Sequence, residues 1–74
     1  MDKYCLTFCQ NLRYLRRHRG MTRKELAAVI GISPGKLARL EREEPGYRVN
    51  GEMLCRLCDY FDLSADLVLQ ERLG

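Results

Sequence analysis

The stretch Thr22–Glu41, TRKELAAVIGISPGKLARLE, constrains the fold more than any other, because it holds two helix starts and one enforced stop. Thr22 and Glu25 form a T-x-x-E capping box, in which the hydroxyl takes one orphan N–H and the carboxylate reaches back for another. Leu26, Ala27 and Ile30 then recur at helical spacing, and Gly31 supplies the left-handed conformation that ends the helix without a Cβ clash. Ile32 plugs the turn. Ser33 is a good N-cap, and Pro34 falls at the first helical position, where its missing N–H is harmless. Leu37 and Leu40 face inward, which leaves Lys36 and Arg39, three apart, on the outer face of the second helix.

Two short capped helices around a glycine turn make the helix-turn-helix pattern of DNA readers, here spanning 22–42. Charge distribution points the same way. Residues 10–40 carry eight Lys or Arg (13, 16, 17, 19, 23, 24, 36, 39) against Glu25 alone, a balance of +7. Residues 41–74 carry four basic residues against eight acids, a balance of −4, and the first nine residues cancel. A chain with one basic and one acidic half suits docking one face on a polyanion. For the run RRHR at 16–19 taken alone, a solvated helix face is the competing explanation.

The rest of the chain also reads as helical. Residues 3–19 form a first helix whose Cys5, Phe8, Cys9, Leu12 and Leu15 share one stripe, with Arg13, Arg17 and His18 pointing elsewhere and Gly20 ending it. Pro45 ends the third helix no later than Glu44. After the loop 44–50, Asn50 caps a fourth helix over about 51–61 with Leu54, Leu57, Cys58 and Phe61 inward. Ser64 caps a fifth over 65–73, which offers Leu67, Val68, Leu69 and Leu73. No strand is expected, so the fold class is all-α. At 74 residues the chain is expected to form one domain, 1–74, near the lower limit for a core of its own.

No apolar run approaches the ~18 residues of a membrane span and the N-terminus is not a secretory signal, so a cytoplasmic protein with reduced thiols is expected, with no membrane partner. One histidine and no triad leave no catalytic constellation, and neither a cofactor nor a small-molecule substrate is expected. The four cysteines read first as small core hydrophobes. Were the first and fourth helices to pack side by side, Cys5, Cys9, Cys55 and Cys58 would offer four thiolates to a zinc ion, the sharper alternative; redox sensing is a third. Tyr14, Tyr47 and Tyr60 read as packing at helix edges, Tyr47 alone sitting where a phosphate contact is plausible.

These motifs resemble the Xre/Cro-type helix-turn-helix family, which includes the λ repressor and Cro proteins of phages. The likeness runs from Phe8 to Leu69. It is carried by F-x-x-x-L-R-x-L-R at 8–16, T-x-x-E-L-A-x-x-I-G-I-S at 22–33, L-x-R-L-E at 37–41 and L-x-x-L-C-x-x-F-x-L-S at 54–64. The resemblance implies a five-helix, λ repressor-like domain that docks on an operator in double-stranded DNA as a homodimer, its third helix in the major groove.

The resemblance also implies roles. Thr22, Arg23 and Lys24, at the start of the second helix, and Arg42 and Arg48, around the end of the third, would hold phosphates, setting register and affinity without reading sequence. Ser33, Pro34, Gly35, Lys36, Ala38 and Arg39 would face the bases. Here the chain departs from its relatives, which commonly offer Gln, Arg, Ser or Asn where it has Pro34 and Gly35. Neither can fork onto a base edge, so direct reading falls to Arg39, Lys36 and the Ala38 methyl, with DNA shape contributing the remainder. Arg16 and Glu41 match a family ion pair joining the first helix to the third. Leu69 and Leu73, apolar groups left over once the core is filled, are the expected dimer surface. The expected function is a small repressor of phage or mobile-element type, and the alternative is a protein-interaction module on the same fold.

Overall fold

Each helix begins where a short polar side chain accepts a backbone N–H, and the chain turns wherever a residue adopts the left-handed conformation. In the computed structural model, which describes residues 2–44 and 48–74, the elements are α1 (Lys3–His18), α2 (Arg23–Ile30), α3 (Pro34–Glu41), α4 (Gly51–Phe61) and α5 (Ala65–Gln70). Thr22, Ser33, Asn50 and Ser64 are the expected N-caps, each accepting from the residue three further on. Asp2 is a fifth, accepting from the Cys5 N–H at 2.9 Å. Gly31, at φ 77°, closes α2, and the Arg56 guanidinium lies 3.0 Å from where a Cβ would stand, so a side chain here would meet both strain and a neighbour. Glu43 and Asp62 take the same conformation after α3 and α4 although neither is glycine.

The core brings all five helices together. Phe8, Cys9, Leu12 and Leu15 of α1 meet Leu26, Ala27 and Ile30 of α2, Leu37 and Leu40 of α3, Met53, Leu57 and Phe61 of α4 and Val68 of α5. Helix α1 lies against α3 and α5, while α2 lies against α3 and α4. The inward stripes fall as expected, except that Met53 is buried and that Cys5, Leu54 and Cys58 are only half-buried. Among the described residues no strand occurs, and no helix is long and apolar enough to cross a membrane. Pro45 and Tyr47 lie outside the described residues.

Two expectations at the C-terminal end need correction. Helix α5 stops at Gln70 instead of running to 73, and Glu71 is extended. The cause is Asn11, a buried polar residue on the inner side of α1. Its amide nitrogen donates to the carbonyls of Val68 and Glu71, both at 2.8 Å, and its oxygen accepts the Leu73 N–H at 2.9 Å. These bonds replace those a longer helix would have made, and lead the tail back across α1. As a consequence Leu69 and Leu73 are not left over: both pack partly buried against the core. Helix α1 likewise ends at His18, one residue early, with Arg19 as its C-cap.

Candidate nucleic-acid interface

The interface candidate is built on α2, the Gly31–Ser33 turn and α3. Helix α3 has only eight residues, too few to persist alone, so its position comes from Leu37 and Leu40 in the core and from its caps. The Ser33 hydroxyl accepts the Lys36 N–H at 3.1 Å. With the inner face committed, Ser33, Pro34, Gly35 and Arg39 are exposed, and Lys36 and Ala38 are half-buried. Gly35 is exposed, and among the described residues nothing outside its own helix turn lies within 4 Å of where a Cβ would stand.

Behind α3 lies an ion cluster. Glu41, 1 % exposed in its side chain, receives Arg16 bidentately, Nε to Oε2 at 2.7 Å and Nη2 to Oε1 at 2.9 Å. This fork ties α1 to α3, and the Glu41 hydrogen bonds raise the Arg16 pKa above the usual arginine value. Arg23 adds a third contact, Nε to Oε1 at 3.3 Å, while its side chain stays 48 % exposed. The start of α2 is thereby fastened to the end of α3.

The expected phosphate contacts divide into two groups. Thr22, Lys24 and Arg48 are exposed. Arg23 and Arg42 already hold carboxylates, Arg42 pairing with Glu44 at 2.7 Å. The capping box is complete, with Glu25 accepting the Thr22 N–H at 2.9 Å and Thr22 accepting the Glu25 N–H at 3.1 Å. That first bond lowers the Glu25 pKa below the usual glutamate range. Beyond the box, the first-turn N–H groups of Arg23 and Lys24 have no intrahelical acceptor and point along the axis, where an anion is favoured.

The basic run at 16–19 does not form one face, because consecutive helical residues diverge. Arg16 points to Glu41, Arg17 stands exposed, His18 stacks on the Tyr14 ring at 5.4 Å, and Arg19 lies 5.2 Å over the Phe61 ring. Tyr14 is thus packed, as expected, whereas Tyr60 is 56 % exposed with its ring edge against Phe61.

The four cysteines form no disulfide and do not converge. Cys9 is buried, Cys5 and Cys58 are half-buried, and Cys55 is exposed. Among the described residues no group of three or more His, Cys, Asp or Glu could hold a metal ion, and α1 packs chiefly on α5 and α3 instead of α4. Burial pushes the Cys9 thiol up to about 12, and raises Cys5 and Cys58 as well, the behaviour of structural cysteines. Sequence reasoning missed Asn11, the link from Arg23 to Glu41, and the Gln10 amide donating to Glu43 at 2.9 Å.

An eight-residue helix, exposed along its leading edge, propped by a capped partner and set on an all-helical core, defines a helix-turn-helix domain. The sequence family described as the Cro/C1-type HTH DNA-binding domain matches residues 11–66, and the chain belongs to that family. The match takes in α2 to α4 whole, with Leu12 and Leu15 of the α1 core stripe and the start of α5. No curated protein and no solved structure matches the chain. The chain is a DNA-binding domain by family.

Proposed function

We propose that this protein is a sequence-specific regulator of transcription, a small cytoplasmic repressor of phage or mobile-element type. On this reading it binds a short, roughly palindromic operator as a homodimer and lays α3 in the major groove. The observation that carries the reading is the exposed leading edge of α3, Ser33 to Gly35 with Arg39, in a stretch of chain whose balance is +7. Arg39 and Lys36 read bases, helped by the Ala38 methyl and by close approach of the backbone at Pro34 and Gly35. Thr22, Arg23, Lys24, Arg42 and Arg48 hold phosphates on either side. Because Leu69 and Leu73 spend most of their surface on the core, only their exposed edges join the proposed dimer contact.

Selection of bound duplexes from a random pool tests this directly. A two-fold consensus is expected, with affinity falling steeply between about 50 and 200 mM salt. Arg39→Ala should remove about 1–3 kcal/mol of discrimination at one base position, while Lys24→Ala weakens all duplexes alike. Equal loss on every duplex from the Arg39 change would end its role as a reader. A pool that yields no consensus and no salt-dependent binding would favour the interaction module, the reading to which Pro34 and Gly35 lend support.

A further inference from the structure

A second cationic feature lies away from α2 and α3. Helix α1 and the tail that Asn11 draws back across it flank an open groove of about 410 Å³, lined by Gln10, Asn11, Arg13, Tyr14, Arg17, His18, Arg72 and Gly74. Its size falls within the range of small-ligand sites. No lining residue belongs to α2, α3 or α4, so DNA held by the helix-turn-helix does not need it. Three of the lining side chains are guanidinium groups and none is a carboxylate. Among the described residues Arg13, Arg17 and Arg72 make no ion pair, whereas Arg16, Arg23, Arg42 and Arg56 each hold a glutamate. The Gln10 amide of the lining donates to the Glu43 carboxylate.

Like charges gathered in a concave site repel one another, and an anion relieves that repulsion while low-dielectric walls focus the field upon it. Planar guanidinium forks match phosphate oxygens better than point charges do. The stacked rings of Tyr14 and His18, 13° from parallel, give the groove an apolar side for the organic part of such a molecule. Proximity to the tail adds a consequence. Asn11 both lines the groove and holds Val68, Glu71 and Leu73, so an occupant bridging Arg13 or Arg17 to Arg72 would brace the tail against α1.

We propose that this groove is a binding site for a small organic phosphate, separate from the DNA-binding face. The test is titration of the full chain with inorganic pyrophosphate, as a probe of the phosphate subsite, at fixed ionic strength and followed by amide NMR. Saturable one-to-one binding is expected, with shifts centred on Gln10–His18 and Glu71–Gly74. Arg17→Ala and Arg72→Ala, both changes at exposed positions, should each weaken it about tenfold. Neither should alter affinity for duplex DNA. Non-saturating shifts, shifts centred on Thr22–Lys24, or equal binding by both variants would overturn the proposal. So would loss of DNA affinity in the variants, since the groove would then be part of the DNA contact.

Discussion

Glu41 is the most demanding single position for the stability of the site. Its carboxylate is almost fully buried and holds Arg16 through two short bonds and Arg23 through a longer one. Replacing Glu41 with Leu keeps apolar volume but leaves the Arg16 guanidinium, 13 % exposed, without its partner. Breaking a buried pair by removing one member costs about 3–5 kcal/mol, and the slight exposure of Arg16 sets the expectation near the lower end, about 3 kcal/mol. A chain of this size has roughly 4–11 kcal/mol in total. At about 4–8 °C per kcal/mol, the midpoint of thermal unfolding should fall by about 12–24 °C. Arg16→Met should lose about as much, because the more deeply buried Glu41 then keeps only its longer contact with Arg23. The double variant Arg16→Met/Glu41→Leu should recover to within about 2 kcal/mol of the parent, apolar replacement of a whole buried pair being close to neutral. Urea unfolding of the four proteins gives the coupling energy directly. A double variant as unstable as the two losses added together, or a Glu41→Leu loss below about 1 kcal/mol, would refute the argument.

Three further outcomes are expected. Asn11→Leu should cost about 1–3 kcal/mol by stranding the Val68 and Glu71 carbonyls, and Asn11→Asp more, since it turns an acceptor towards them; amide exchange at Leu73 should accelerate in both. Asp62→Gly should stabilise by about 0.5–1 kcal/mol in urea unfolding, because Asp62 sits at φ 55°, and an unchanged or lowered midpoint would show that the left-handed turn is not strained. The depressed Glu25 pKa gives a contribution that is complete above the ordinary glutamate range and disappears as pH falls through the folded value. Acid titration should therefore weaken the parent more than Glu25→Gln, whose stability is already without it.

The elements that sequence made legible are those decided within a few residues. Thr22 with Glu25, Ser33 with Pro34, Asn50 and Ser64 each announce a helix because a polar acceptor stands directly before an apolar repeat, and Gly31 stops α2 by its own backbone freedom. Asn11 was not legible, since its partners are backbone groups 57 to 62 residues further on. Its one signal was position: it lies three residues beyond Phe8 and four before Leu15, on the buried lattice, where a polar residue needs partners. That clamp in turn decided where α5 stops, so the expected end at residue 73 failed for a reason no local pattern contains. The Arg16–Glu41 pair came through resemblance alone. The contact of Arg23 with the same carboxylate depends on how close the start of α2 comes to the end of α3, which is a property of packing.

The sharing of Glu41 bears on how the proposed phosphate contacts are made. Arg23 is half exposed and its bond to Glu41 is longer than either made by Arg16, so the pair is worth only about 0–1 kcal/mol. Arg16 alone already gives each Glu41 oxygen a donor. Arg23 can therefore turn from Glu41 towards a phosphate without stranding a buried charge, while Arg16 cannot. A charge-assisted bond to phosphate is worth about 1.5–3 kcal/mol, which exceeds what Arg23 gives up. Until DNA arrives, the same weak tether keeps its guanidinium near the α2 start and limits the rotamer freedom lost on binding. Two arginines on one glutamate thus divide the work by depth: the buried one ties α1 to α3, and the exposed one stays available for the proposed phosphate contact.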